Sequence, residues 1–459
     1  MSELTMAQAV EIGLDTLGSD GGVVVGESSQ TANLRWANSQ LTTNGSINEN
    51  SLSIVAFVPT SGGIGSGVAS GQVRSRDDVL ALVESAKASG KASGPSEDFA
   101  ELVAGPISDN FADHPESIDL AGINHIAARL GEEMRNPAAE FFGYAEHSQD
   151  TLYIGTSAGT RMRFGQATSR FELCAKSAER DRSAWSGQGG TSLLSADVQQ
   201  HAKSVLEGLE FQKNKIDVEP DRHRVTLSAS AVADLMIYLM WTASAREAAQ
   251  GRSVFSAPNG KTKVGEQLSN RAFNLVSNPK LSGMETLDHV VSLGASSMSS
   301  PFDTGLAIPA TKIIENGTLS ALASSRHAAQ EAGLPFTPLA DNIHVYDEAG
   351  KGSLIETAAR MGDGLLITCL WYIREVDPQS LLLTGLTRDG VYVVRNGEII
   401  GATSNFRFND SPVSLLNRIL DAGESRDCLP REWADWFSRA RVAPLVLDGF
   451  NLSTKSDAI

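Results

Sequence analysis

Residues 365–416 read LLITCLWYIREVDPQSLLLTGLTRDGVYVVRNGEIIGATSNFRFNDSPVSLL, and no other stretch limits the fold so tightly. Two apolar, β-branched runs flank Asn396-Gly397. That dipeptide supplies two consecutive positive φ angles at little steric cost, so the spacing predicts a tight hairpin. Ile313-Ile314-Glu315-Asn316-Gly317-Thr318-Leu319 repeats the same chemistry, and a shared turn type explains the likeness without an internal repeat. The C-terminal half therefore reads as predominantly short strands and glycine turns.

The N-terminal half has a different character. Met6, Ala9, Val10, Ile12, Gly13 and Leu17 share one helical face, which predicts a first helix over residues 4–18. Val23-Val24-Val25, Leu34 to Ala37 and residues 52–58 read as a meander, with the turn at Thr42-Thr43-Asn44-Gly45. Ser75 with Asp78 three residues on has the form of a capping box opening a helix. Residues 88–99, ASGKASGPSEDF, read as a linker or loop, and residues 180–194 as a polar, Gly-rich loop. Helices are expected over 117–134 and 196–211, with strands over 151–173. Near Arg224 comes a strand (225–229) and then a mostly apolar helix running from Ala229 into Arg252. The expected class is α+β, with helices on one face of a sheet. Two domains are expected, an N-terminal α+β unit over residues 1–224 and a β-rich unit over 225–459.

Bulk charge narrows the function. The chain carries 55 acidic against 38 basic residues, a formal net charge of −17, and no segregated Lys/Arg patch. Such a surface repels a phosphate backbone, which argues against direct nucleic-acid binding. Cys174, Cys369 and Cys428 are far apart and form neither a disulfide framework nor a zinc ribbon. The N-terminus has no signal-peptide pattern, and the apolar stretch 235–245 is about half the length a bilayer demands. A soluble cytoplasmic protein is expected.

Several residues invite chemistry, each with a plainer explanation beside it. His327 and Glu331 lie four apart, a spacing that holds a metal on a helix, although an exposed charged face explains it equally simply. His344 sits in a strand-like alternation and reads as a hydrogen-bonded strand histidine. Cys369 lies in an apolar run and reads as core. Cys428 falls in a polar segment, SRDCLP, and reads as a structural cysteine in a loop. Glu375 and Asp377 could pair for acid/base work, but Asp377-Pro378 begins a turn and Arg374 has an acid to find nearby. Gly155-Thr156-Ser157-Ala158-Gly159 matches a nucleophile elbow, yet a strand follows where the elbow needs a helix. Exposed strand edges can take up an extended peptide, and Thr387, Arg388, Asn405 and Arg407 offer polar groups beside β-structure for such a channel.

Four segments together carry a family resemblance. Arg35, Asn38, Thr43 and Asn44 are similar to an R-x-x-N…T-N pattern of the TldD/PmbA proteins, bacterial metallopeptidase subunits once described as modulators of DNA gyrase. Pro301-Phe302-Asp303-Thr304-Gly305 followed by KIIENGTLSAL resembles that family's D-[DE]-x-G-x-P…IE-x-G-x-L segment, with Phe302-Asp303-Thr304 in place of an acidic cluster. Residues 365–416 resemble its C-terminal half, and Ala443 to Phe450 resembles its closing strand. Catalytic members carry HExxxH on a helix, two histidines for Zn²⁺ and a glutamate as general base. The region expected to correspond, residues 229–255, contains no histidine. Catalytic members also supply a late cysteine as third zinc ligand. Cys428 lies in that region, with different flanking residues. The resemblance thus implies the TldE/PmbA branch. Such a subunit has no catalytic residue and no cofactor of its own; zinc is expected in a TldD-type partner. The implied assembly is a heterodimer, or a homodimer when the chain is alone, acting on unfolded or small peptides in an enclosed chamber. Two alternatives stand beside it. One is an active metallopeptidase with ligands drawn from His327, His344 and Cys428; the other is a peptide-binding scaffold without proteolytic role.

Overall fold

The computed structural model describes residues 4–456; the extreme ends of the two expected domains, residues 1–3 and 457–459, lie outside the described residues. The class is α+β. The first sheet has six strands in the order Gly63–Gln72, Gln40–Thr60, Gly22–Ala37, Glu140–Thr156, Arg161–Lys176 and Ser183–Gly190. Every neighbouring pair is antiparallel. Four helices, Met6–Leu17, Arg76–Ser93, Ala121–Glu133 and Val198–Phe211, bury their apolar stripes against it. Side chains alternate across a strand, so Val24, Ala32, Leu34 and Trp36 all meet that helical layer. The opposite face is covered at Val23, Val55 and Phe57 by Phe302, which arrives from the C-terminal half.

The Ser75–Asp78 capping box is formed as expected, the Ser75 hydroxyl and the Asp78 carboxylate each serving the other's backbone N–H. Three local expectations fail. The turn of the first hairpin falls at Asn38-Ser39, with φ of 51° and 56°, and Thr42 to Gly45 lie inside the strand Gln40–Thr60. Residues 88–93 are helix, not linker. Gly90 lets that helix lie directly on the sheet, since a Cβ there would stand 2.8 Å from a Val58 methyl carbon. Residues 183–190 are the edge strand of the sheet, not loop. Its glycines serve close approach, because a Cβ on Gly189 would fall 2.1 Å from the Ser438 carbonyl oxygen.

The second half holds two more large sheets around one buried helix, and a two-stranded one of Ser256–Ala257 and Lys261–Thr262. A nine-stranded sheet runs in the order Leu370–Asp377, Leu382–Thr387, Asn405–Asp410, Leu445–Ser456, Asp221–Leu227, Gly364–Ile367, Val391–Arg395 and Glu398–Ala402, with Ile419–Ala422 added on Leu445–Ser456. A six-stranded sheet runs Thr318–Leu319, Thr311–Glu315, Phe273–Ser277, Ile343–Asp347, Ala440–Val442 and Arg426–Cys428. Both Asn-Gly hairpins form as their chemistry demands, with φ of 47° and 82° at Asn316-Gly317 and 50° and 81° at Asn396-Gly397. The helix Ala229–Thr242 lies in the core the sheets share, buried around most of its circumference. It stops ten residues before Arg252. Ala243 and Ala245 instead exchange backbone hydrogen bonds with Ala323 at 2.7 and 2.9 Å, and a short helix Ala245–Ala249 restarts from a Ser244 cap. No helix among the described residues is long and apolar enough to cross a membrane.

Candidate functional site

The helix Ala229–Thr242 carries one charged residue, Asp234, in an otherwise apolar run. It is fully buried. Its Oδ1 accepts from the Glu432 N–H at 3.1 Å, and its backbone carbonyl accepts from Trp433 Nε1 at 2.9 Å. Oδ2 has no hydrogen-bond partner. Burial, with Glu432 adding to it, pushes the Asp234 pKa well above the usual carboxylate range.

The segment 431–433 fastens three elements with three consecutive side chains. Arg431 donates from Nη1 to the Cys369 sulfur at 3.0 Å and ion-pairs with Asp389. Its guanidinium lies between two indoles, 5.1 Å from the Trp185 ring centre and 5.3 Å from that of Trp371. Asp389 also accepts from the Ser183 hydroxyl, so this buried polar cluster ties the first sheet to the nine-stranded one. Glu432 accepts from the Tyr372 and Ile373 N–H groups at 2.6 and 2.9 Å and pairs with Arg374 at 3.1 Å. Those bonds stabilise the irregular stretch where Tyr372 adopts a φ of 56°. Trp433 packs on Tyr238 and Trp241 of the helix, with ring centres 5.6 and 5.0 Å apart, and Trp241 also meets Phe437. This end of the helix therefore presents aromatic rings and no imidazole. Trp436 and Tyr372 stand exposed nearby, at 77% and 55%.

A cavity of about 300 Å³ opens where the first sheet and the helix Val198–Phe211 meet the second half. Trp185, Cys428 and the edge-to-face pair Phe211 and Tyr392 line it, and Ser230 and Arg426 add polar groups. A second cleft of about 400 Å³, more polar, is lined by Arg182, Lys215, Asp389 and Asn405.

The residues singled out from the sequence are scattered. His327 lies on the helix Arg326–Ala332, 3.5 Å from Glu331, which also holds Arg246 at 2.7 Å. His344, on the strand Ile343–Asp347, contacts the Ser425 hydroxyl at 3.2 Å, and burial lowers its pKa. Cys428 is not in a loop. It ends the strand Arg426–Cys428 and is buried, and desolvation raises its thiol pKa well above normal. Burial likewise pushes the Cys369 thiol up to about 12, against the opposing pull of Arg431. Both therefore stay protonated at neutral pH. Among the described residues no three His, Cys, Asp or Glu side chains come together in a way that could hold a metal ion. Arg374 finds its acid in Glu432, and Asp377 accepts from the backbone of Gln379 and Ser380 in the expected turn.

Of the four channel residues, Thr387 is enclosed. It is fully buried, and its Oγ1 accepts from the Phe406 N–H at 2.9 Å and bonds Asn405 Oδ1 at 3.2 Å. A side chain so placed offers nothing to a peptide, because strand alternation turns it into the core. Arg388 lies 3.6 Å from Asp389 and over the Trp371 ring, Asn405 lines the polar cleft, and Arg407 is exposed with Nη1 3.3 Å from Thr384. The sequence does not group Asp234, Asp389 and Arg431 as a site. Only Asp234 left a signal there, as the lone carboxylate of an apolar helix.

Asp234 gives a pH prediction. Its folded pKa is raised above the unfolded value. The stability it contributes is complete below the unfolded pKa and is lost as pH rises through the folded one. Asp234→Asn, which cannot ionise, should remove that loss, gaining about 1–3 kcal/mol over the wild type at the alkaline end. Urea midpoints from mildly acidic to mildly alkaline buffer check this; parallel pH profiles for the two proteins would refute it.

Residues 220–454, more than half of the chain, match the sequence model of the PmbA/TldA metallopeptidase C-terminal domain. The chain belongs to the TldD/PmbA family. No curated protein matches it. The fold of this TldD/PmbA member is similar to that of TldE from Thermococcus kodakarensis, with a TM-score of 0.75 and 13% identity over 98% of this chain and 99% of that one. It is equally similar to a candidate modulator of DNA gyrase from Bacteroides thetaiotaomicron, with a TM-score of 0.75 and 14% identity over 97% and 98% of the two chains. A third likeness is to a protein of the same description from Thermotoga maritima, with a TM-score of 0.71 and 14% identity over 94% and 95%.

Proposed function

We propose that this chain is the non-catalytic, TldE-type subunit of a cytoplasmic heterodimeric zinc metallopeptidase that degrades or processes unfolded peptides. The observation that carries the reading is the helix Ala229–Thr242. Catalytic relatives are expected to present two histidines and a glutamate from a helix at this point. Here the helix offers Tyr238 and Trp241, packed on Trp433, and a buried Asp234 bound to the Glu432 backbone. This residue set does not fit a zinc ion, which needs imidazole, thiolate or carboxylate groups converging within about 2.3 Å of one point. No catalytic step is assigned to the chain. Residues 1–224 and 225–459 act as its two structural units and complete the chamber around the zinc-bearing partner. Arg388, Asn405 and Arg407 face the peptide, where their polar groups engage main chain and carboxyl ends with little dependence on side-chain identity.

The chain purified alone without chelator should contain near-zero zinc by elemental analysis and show no chelator-sensitive cleavage of unfolded casein. Added to an HExxxH-bearing relative, it should raise that subunit's peptidase rate. A full equivalent of tightly held zinc, or peptidase activity of the isolated chain that chelator abolishes, would overturn the reading.

A further inference from the structure

The cavity lined by Trp185 and Phe211 also carries a chain of hydrogen bonds that the peptidase reading does not use. Ser186, on the edge strand Ser183–Gly190, lines this cavity and is only partly buried. Its Oγ lies 2.7 Å from Nδ1 of His201, on the helix Val198–Phe211. His201 Nε2 in turn lies 3.5 Å from Gln188 Oε1. Gln188 Nε2 donates onward to the carbonyl oxygen and the hydroxyl of Ser195, at 3.4 and 3.1 Å.

The far end of the chain sets its direction. The Gln188 amide nitrogen is engaged with Ser195, so the oxygen it turns to His201 can only accept. His201 Nε2 therefore carries the ring proton, and Nδ1 offers its lone pair to the Ser186 hydroxyl, which donates. Burial keeps the imidazole neutral, pushing its pKa down to about 4 against the pull of Asp197. Phe171 packs on the ring, with centres 5.2 Å apart, and holds its orientation. A hydroxyl that donates to a neutral imidazole, itself held by a third group, is the arrangement that activates a serine as nucleophile. The same cavity supplies donors for an oxyanion. The first-turn N–H groups of Ala229 and Ser230 line it and have no partner inside their helix.

We propose that Ser186 and His201 form a metal-independent hydrolytic site for small carboxylic esters, with Gln188 as its positioning residue. Ser186 Oγ bonds to the ester carbonyl carbon while its proton passes to His201 Nδ1. The bond from that carbon to the leaving oxygen then breaks, and the leaving oxygen takes the proton from Nδ1. Water adds to the acyl-serine and gives one proton to Nδ1. The carboxylic acid departs as the Ser186 oxygen recovers that proton. Base strength and cavity size set the substrate class. A base as weak as His201 gives the serine oxygen little help, so the carbonyl must be reactive in itself, as in an aryl ester and not a peptide amide. A volume of about 300 Å³ is at the lower end for ligand sites, with room for a short acyl or aryl group beside Trp185 and Phe211. This chemistry lies outside the proposed metallopeptidase, in which the chain supplies no step, and neither reading depends on the other.

The test uses the full chain with a fluorophosphonate probe, which phosphonylates activated serines, and with 4-nitrophenyl acetate as substrate. The wild type should carry the probe at Ser186, located by peptide mass spectrometry, and should release 4-nitrophenolate with chelator present. Ser186→Ala should lose the adduct and lower kcat/KM by about 100-fold or more. The wild-type rate should be level across neutral pH, where His201 is already neutral, and should fall as pH drops through about 4. Gln188→Glu sets a carboxylate against His201 and should move that fall upward by about 1–3 pH units, which a merely structural Gln188 would not do. An unlabelled Ser186, undiminished hydrolysis in Ser186→Ala, loss of hydrolysis on adding chelator, or an unmoved profile in Gln188→Glu overturns the proposal. So does a wild-type rate that rises through about pH 6.5, because it assigns the acylation to an ordinary exposed histidine.

Discussion

Arg431→Met is expected to cost about 3–5 kcal/mol of unfolding free energy, because it strands a buried carboxylate. Asp389 has only 3% of its side chain exposed, and Arg431 is its principal countercharge. The substitution keeps much of the side-chain volume between Trp185 and Trp371, so a cavity contributes little to the loss. Adding Asp389→Asn removes the stranded charge and should restore most of the stability, which a simple packing defect would not permit. The pH dependence separates the two causes further. Burial alone would raise the Asp389 pKa, but Arg431 and the Ser183 hydroxyl outweigh it and hold the group below the usual carboxylate value. Its folded pKa is thus depressed, and the stability it contributes is present above an unfolded pKa of about 3.9 and lost as pH falls through the folded value. The wild-type advantage over Arg431→Met should therefore shrink as pH drops below about 4. Urea unfolding of the two single variants and the double variant measures all of this. A single-variant loss under about 1 kcal/mol would mean that water screens the pair.

Phe302→Ala should be comparably damaging, at about 3–5 kcal/mol, and its damage should be directional. Phe302 is 1% exposed, stacked on Phe57 with ring centres 4.4 Å apart and met edge-on by Phe99 at 5.3 Å. It is the point where the second half of the chain covers the helix-free face of the first sheet. Asp303, next to it, is ion-paired to Arg326 at 2.6 Å and anchors the turn that delivers the ring. Loss of the phenyl group should expose the strands around Val55 and Phe57 to limited proteolysis before the nine-stranded sheet loosens. Phe302→Leu should recover more than half of the stability. If cleavage instead begins in residues 364–456, the ring has no bridging role.

Features encoded by local chemistry were legible in the sequence. Two Asn-Gly dipeptides gave two hairpins, the Ser75–Asp78 box opened its helix, and the α+β class followed from the helix–sheet–helix order of the N-terminal half. Features set by distant neighbours were not. Asn44-Gly45 has the same local chemistry as Asn396-Gly397, but fourteen further residues of ladder with Gly22–Ala37 hold it extended. Residues 183–190 look like loop because their glycines admit the Ser438 backbone, a partner some 250 residues away in the chain. For the same reason the polar cluster could not be found. Arg431, Asp389, Cys369 and Ser183 share no spacing, and only the meeting of two sheets brings them together. The missing histidines, by contrast, were a property of composition and could be read directly.

The strand order of the nine-stranded sheet has a consequence for biosynthesis. Asp221–Leu227 lies between Gly364–Ile367 and Leu445–Ser456, so its two partners leave the ribosome about 140 and 220 residues after it does. The first sheet has no such debt, since all its strands are complete by Gly190 and each pairs within that span. The N-terminal half can therefore close while translation continues, whereas the strand Asp221–Leu227 and the apolar helix behind it must wait, unpaired, for nearly the whole remaining chain. During that interval the nascent polypeptide leaves Val225, Leu227 and the Leu235-Met236-Ile237 run without the core that buries them once the last strand arrives.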